Sequence, residues 1–284
     1  MNRVRVVRVP ASSANLGPGY DVLAAALAIH LELEVEETGE FGVEADLEGI
    51  PLDRSNLCVR AFESLHPADG ITFRLRSHIP PAAGLGSSAA AIVAGLVAAD
   101  HMYELDADLL PRAVELEGHP DNVAAALRGG FVICSDDGAE RFDPPPELEG
   151  VLAIPPHQVP TAEARAALPT EVPLADAVYN VARASLLVLG LARADFDLVA
   201  RGLADRIHQP RRQSLYPRSM ELVARAREMG ALGATISGAG PAVLFWSHFE
   251  QTGALLEALR AEAPDCDVRR VQFDPSGADV RALA

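Results

Sequence analysis

Apolar and polar positions alternate in several stretches of the chain, and that spacing predicts where strands lie. Val4–Val9 interleaves arginine with valine. Ile29–Glu37 alternates strictly, with Leu31, Leu33 and Val35 on one face. Thr72–Ser77 repeats the pattern, and Gly129–Ser135 reads as a buried strand. Other stretches take helical spacing. Ser87–Tyr103 is a run of mostly small apolar residues that opens on serines and contains no proline, so it is predicted as a long helix. Leu109–Leu116, Asp121–Leu127, Asp176–Leu191, Phe196–Ile207, Arg218–Met229 and Gln251–Glu262 are further predicted helices. Ala234–Ser237 leads into a glycine turn, Ala242–Ser247 is a strand, and Asp267–Phe273 is a last alternating strand.

Between the halves stand Pro144, Pro145, Pro146, Pro155, Pro156 and Pro160. Proline removes backbone donors, so this stretch reads as a connection between domains. Strands and helices mix without a regular βαβ rhythm. The expected class is α+β in two domains, residues 1–150 and 151–284.

Charge narrows the function. Acidic residues number 40 against 24 basic ones, a formal net charge of −16, and the arginines are scattered. That balance, with only 5% aromatic residues, excludes a nucleic-acid surface. Every basic residue is arginine; the chain contains no lysine. A Walker A loop, the protein-kinase ion pair and Schiff-base chemistry all require lysine and are excluded. Cys58, Cys134 and Cys266 form no CxxC pair, which argues against a disulfide framework and a zinc site. The longest run free of charged or strongly polar side chains, Ala89–Ala99, is too short to cross a bilayer, and a cytoplasmic location is expected.

Chemistry concentrates in a few segments. Pro81–Ala91 places Gly84 and Gly86 just before Ser87 and Ser88, which open the long helix. Glycine permits close backbone approach, and a helix N-terminus offers free N–H groups and partial positive charge. An anion site and an ordinary serine-capped turn both fit these residues. Ser12–Asp21 sets Asn15 and Asp21 on a Gly/Pro-rich loop that also reads as a surface turn. Glu117–Asn122 gathers two acids, an imidazole and an amide; its carboxylates suit magnesium near phosphate, and His119 reads as an exposed loop residue. Ile236–Val243 supplies a second glycine turn carrying Ser237 and Gly238.

In this order the segments resemble the motifs of the GHMP kinases: PASSANLGPGYDVL, PPAAGLGSSAAA and ISGAGPAVLF. Within that superfamily they are similar to the homoserine kinases. The opening resembles "P-A-T-S-A-N-L-G-x-G-F-D", Gly118–Val123 resembles "H-x-D-N-V-A", and His208–Arg212 resembles "H-x-P-Y-R". The likeness runs from residue 9 to residue 245. Ala24 stands where glycine is usual, Ala83 where arginine is frequent, and Arg211 where the last motif has tyrosine.

The resemblance implies an N-terminal ATP-binding domain and a ferredoxin-like C-terminal domain. It implies ATP-dependent phosphorylation of the L-homoserine hydroxyl, with Mg2+, on the way to threonine. By position Pro81, Ala82, Ala83, Gly84, Leu85, Gly86, Ser87, Ser88, Ala89, Ala90 and Ala91 would hold ATP, with Asn56 at the adenine. Ser88 and Glu117 would hold the metal. Asn15, Asp21, Asp121, Asn122, Arg183, Arg212, Ser237 and Gly238 would meet the substrate, with Asp21, Asp121 and Asn122 as the catalytic group. Asp121 is expected at the ammonium group, and Asp21 and Asn122 at the hydroxyl. Arg183 interrupts an apolar helix, so it and Arg212 are the expected carboxylate partners. Two rivals are a mevalonate-pathway enzyme of the same superfamily and a non-catalytic ligand-binding relative. The missing lysine and the GHPDNV and HQPRR segments oppose the first; intact Ser88, Glu117 and Asp121 oppose the second. Family members are often homodimers, and no interface is legible in this sequence.

Overall fold

The computed structural model describes residues 3–47 and 49–283. The first half runs β1 (Val4–Ala14), β2 (Leu23–Glu37), β3 (Gly42–Ala45), α1 (Leu57–Glu63), β4 (Ile71–Ser77), α2 (Ser87–Tyr103), α3 (Leu109–Glu117), α4 (Pro120–Arg128), β5 (Phe131–Ser135) and β6 (Gly138–Phe142). The second runs β7 (Leu148–Ile154), α5 (Thr161–Ala166), α6 (Leu174–Arg193), α7 (Phe196–Gly202), α8 (Pro217–Arg225), β8 (Gly233–Ile236), β9 (Val243–His248), α9 (Phe249–Glu262), β10 (Asp267–Val271) and β11 (Asp279–Leu283). The class is α+β.

Among the described residues β11-β1-β2-β4-β3, with β5 paired to β2 and β6 paired to β5, form a seven-stranded sheet. Its longest ladder pairs β1 with β2 antiparallel, and the register shifts between Pro10 and Ala11, where proline has no N–H to give. The alternation read in β2 is real: Leu31, Leu33 and Val35 are buried, and Glu34 and Glu36 on the opposite face pair with Arg74 of β4. The helix α2 lies against β1 and β2 and is buried from Ala89 through Ala99, apart from Ala91, which explains a helix with no charged face.

The second sheet, β10-β7-β9-β8, is antiparallel, and its strands β7, β8 and β9 are buried on both faces. Leu148 and Leu152 of β7 and Leu244 and Trp246 of β9 join the core of the first sheet. Val151, Ala153, Val243 and Phe245 face a smaller core under α8 and α9. Trp246 packs 6.0 Å from Phe131 and 5.5 Å from Phe273, so one aromatic cluster ties the halves together.

The strand β7 starts at Leu148, within the proline-rich stretch, and β11 returns to pair with β1. The short elements α1, β3, β6, β7, α5 and β11 also carried no periodic signal long enough to be read. One described helix, α6, has the length and apolarity of a membrane span, with a mean hydropathy of 1.4. It packs on α7 through Leu187, Gly190 and Leu191.

Candidate active site

Three loops distant in sequence are hydrogen-bonded into one floor. The Ser12 amide donates to the Leu85 carbonyl at 3.1 Å, and the Gly238 amide to the Ala14 carbonyl at 3.1 Å. Ser237 Oγ donates to the Gly84 carbonyl at 2.8 Å, and the Ala242 amide to the Ala83 carbonyl at 3.1 Å. Glycine is required where these chains meet. A Cβ on Gly84 would lie 2.2 Å from the Ser237 carbonyl oxygen, and one on Gly86 would lie 2.1 Å from Ser12 Oγ. Both glycines have positive φ, 79° and 67°. Asn15, Leu16 and Asp21 also adopt positive φ, a strain that the loop contacts sustain.

Above the floor is a pocket of about 460 Å³. One end is apolar, walled by Leu31, Leu47, Ile50, Leu57 and Leu75. The other is charged, with Asp21, Arg165, Arg212, His119 and Asp121. Between them Gly84–Ser88 and the N-terminus of α2 face the cavity. Gly86 occupies the cap position of α2 and no side chain caps the helix, so the serines do not serve as an N-cap there. That leaves the helix end and its partial positive charge for an anion.

Ser88 and Glu117, the two residues expected at the metal, are neighbours in the fold. Ser88 Oγ donates to Glu117 Oε1 at 2.7 Å. Burial pushes the Glu117 carboxyl above its ordinary range, with the Ser88 hydrogen bond opposing. Pro120 starts α4 and His119 precedes it, which fixes Asp121 and Asn122 in the first turn. His119 is not exposed. Its side chain is 12% accessible, 3.1 Å from Asp121 and 3.8 Å from Glu117. Burial opposes its charge, but the hydrogen bond to Asp121 and the two carboxylates outweigh that and raise its pKa. Asn122 Oδ1 accepts from Ser12 Oγ at 2.8 Å, so α4 is tied to the first loop.

Arg183 lies on α6 but away from the cavity. Arg183 stacks 4.7 Å over Tyr179, donates to the Arg201 carbonyl at 2.9 Å and does not line the pocket. Its break in the apolar pattern reflects this packing between helices. The cavity is lined by Arg165, on the short helix α5 in the proline-rich stretch. Arg165 Nη2 and Nη1 reach the Asp21 carboxylate at 2.7 and 3.0 Å, and Nη1 also reaches the Tyr20 hydroxyl at 2.9 Å. A six-residue helix without a hydrophobic period announces nothing in sequence. Of the adjacent pair, Arg212 is buried and lines the pocket, while Arg211 is exposed.

Other expected residues separate into those facing the cavity and those behind it. Ala82, Gly84, Leu85, Gly86, Ser87, Ser88, Ala91, Asn56, Asn15, Asp21, Asp121, Asn122 and Gly238 line it. Pro81 is exposed and off the pocket, and Ala83, Ala89 and Ala90 pack into the core behind the loop. Ser237 braces the two glycine turns and does not line the cavity. Asn15 spans Gly238 and the Asp21 amide, at 2.9 and 3.0 Å. Asn56 caps α1 through the Cys58 amide and holds the Pro51 carbonyl.

Known proteins share this frame. The model of the GHMP kinases N terminal domain matches residues 56–130, and that of the GHMP kinases C terminal domain matches residues 187–265. A homoserine kinase of Moorella thermoacetica is 39% identical over 284 residues, covering 94% of this chain and 96% of the relative. A crystal structure of homoserine kinase from Cytophaga hutchinsonii superposes with a TM-score of 0.89 at 31% identity, covering 98% of this chain and 97% of the other. A mevalonate diphosphate decarboxylase from Enterococcus faecalis, 17% identical over 100% of both chains, shares the fold with a TM-score of 0.74.

Proposed function

We propose, from the premise that this chain belongs to the homoserine kinase family of the GHMP kinases, that it transfers the γ-phosphoryl group of ATP to the hydroxyl of L-homoserine. The product is O-phospho-L-homoserine, a precursor of threonine. The observation that carries this reading is one pocket holding a glycine loop at a helix N-terminus, an apolar end, and a carboxylate–guanidinium cluster.

ATP enters with adenine at the apolar end and its triphosphate along Gly84–Ser88. The helix dipole and backbone amides neutralise phosphate charge without lysine. Ser88 and Glu117 fit Mg2+: both offer hard oxygens, they are adjacent, and a desolvated carboxylate gains from a cation beside it. When bound, that ion would neutralise charge on the β- and γ-phosphoryl oxygens.

The amino-acid end falls to Arg165, Arg212 and Asp21. The guanidinium groups suit a carboxylate, and Asp21, already bound to Arg165, suits the neighbouring ammonium group. This reverses the expected roles of the aspartates. Asp121 and Asn122, beside Glu117, are then left for the hydroxyl. His119 stands between Glu117 and Asp121 and reduces the repulsion of their charges. Transfer proceeds by positioning and charge neutralisation, so no strong general base is assigned. A cytosolic location fits an ATP-using enzyme whose cysteines are unpaired.

The test is ADP release with L-homoserine, mevalonate or galactose as acceptor. Turnover with L-homoserine alone is expected. Turnover with mevalonate alone, or with no acceptor, would overturn the reading.

A further inference from the structure

His208 lies beneath the pocket, with none of its surface accessible. Its Nε2 hydrogen-bonds the Gly17 carbonyl at 2.7 Å, which requires the proton on that nitrogen. Its Nδ1 therefore carries the lone pair, and Arg212 Nη1 donates to it at 3.3 Å. Burial holds the imidazole below its ordinary range, against the charge of nearby Asp205. A neutral ring can donate on one side and accept on the other; an imidazolium facing Arg212 could not.

Each contact leads to a pocket residue. Gly17 belongs to the loop that carries Asp21. Arg212 also donates through Nε to the Ala164 carbonyl at 2.8 Å, the peptide just before Arg165. The ring is held from below by Asp205, whose carboxylate accepts the backbone amides of His208 and Gln209 at 3.0 and 2.7 Å. Asp205 also accepts from Asn180 Nδ2 at 2.7 Å, and the same amide reaches the Pro18 carbonyl at 3.2 Å. Buried polar groups satisfied this fully fix one geometry. The hydrogen bonds of His208 reach neither Gly84–Ser88 nor Glu117.

We propose that His208 is a positioning residue for the amino-acid end of the pocket: it couples the Asp21 loop to Arg212, and through Arg212 to Arg165, so that the charges facing the substrate's carboxylate and ammonium keep a single spacing. The proposal rests on the homoserine kinase reading and goes beyond it, since His208 faces no ligand and acts through Arg212 and the loop.

Two substitutions divide the ring's functions. His208→Gln keeps a donor near Nε2 and loses the acceptor for Arg212; His208→Asn keeps an acceptor near Nδ1 and loses the donor to Gly17. Each is expected to raise the KM for L-homoserine about tenfold, within the cost of leaving one buried hydrogen-bonding group unpaired. The kcat and the KM for ATP should stay within about twofold, because binding of the unreacting end is lost equally from ground and transition states. Thermal unfolding with and without ATP is measured beside the kinetics. A purely structural histidine would lower Tm and leave the ratio of the two KM values unchanged; that result overturns the proposal. If neither variant folds, Asn180→Ser, which loosens the Pro18 carbonyl, decides by the same ratio. The parent is assayed first. Its failure with L-homoserine counts against the substrate reading, and the ratio is then measured with the acceptor that it does phosphorylate.

Discussion

Arg165 and Asp21, 144 residues apart, form a two-pronged ion pair across the charged end of the pocket. The Asp21 hydrogen bond is the largest influence on Arg165 and raises its pKa, so the guanidinium stays charged beside a carboxylate. An amino acid brings one group of each sign and can exchange partners with this pair. A hydroxy acid without an ammonium group would break the pair and leave Asp21 unmatched.

Arg165→Lys is therefore expected to raise the KM for L-homoserine at least about tenfold, because an ammonium cannot reproduce the fork that meets a carboxylate. Arg183→Leu should leave that KM within about twofold, since its guanidinium is spent on Tyr179 and the Arg201 carbonyl. Steady-state kinetics with homoserine varied at saturating ATP checks both. The opposite ranking would return the substrate carboxylate to α6.

At the phosphate loop, Gly86→Ala should weaken ATP binding at least about tenfold. The added methyl meets Ser12 Oγ at 2.1 Å in a backbone with φ of 67°, so the loop must shift or the serine must move off Asn122. Strain of this kind costs about 1–3 kcal/mol. Calorimetric titration with ATP on the folded variant measures it; unchanged affinity would remove the loop from the nucleotide site.

Glu117→Gln keeps the shape and removes the charge next to Ser88. Turnover should fall by roughly 10²-fold or more, and the Mg2+ concentration for half-maximal rate should rise. Stability should hold or increase slightly, because burial already disfavours the Glu117 carboxylate. A variant with unaltered metal dependence would make Glu117 a helix-end residue only.

Asp274 carries a prediction about pH. It accepts from His30 Nε2 at 2.7 Å and from the Ser276 amide at 2.8 Å, where the chain turns back toward β11. Burial opposes its charge, yet the His30 hydrogen bond and the Ser276 amide win and hold the carboxyl below the usual aspartate range. A depressed carboxyl stabilises the fold above its unfolded pKa, and the contribution is lost as pH falls through the folded value. Asp274→Asn should cost about 1.5–3 kcal/mol near neutral pH. The difference from the parent should shrink below about pH 4. Thermal melts of both proteins from neutral to acid pH test this; a constant difference would show that the lost packing, not the charge, is responsible.

Much of this was legible before folding. The residues that began and ended α2 followed from a glycine loop on one side and an unbroken small-residue run on the other. The segments that carry Gly84, Gly86, Asp121 and Asn122 each show a local signal: glycine at positive φ in the loop, proline at the first helical position. Local backbone preference is a property of neighbours in sequence, so sequence by itself determined it. The partner of Asp21 was a different matter. Arg165 stands on one turn and a half of helix among prolines, and the burial of Ala164 and its bond from Arg212 hold that short helix against the pocket. The same holds for Arg183, conspicuous in an apolar helix yet facing Tyr179, and for His119, polar and loop-bound yet enclosed by two acids. It holds for β11 as well, which completes the first sheet from the far end of the chain. The contacts of Arg165 and of β11 join residues far apart in sequence, and the energy of all these contacts depends on burial and distance that no local pattern encodes. Tertiary structure alone decided which charges face the cavity.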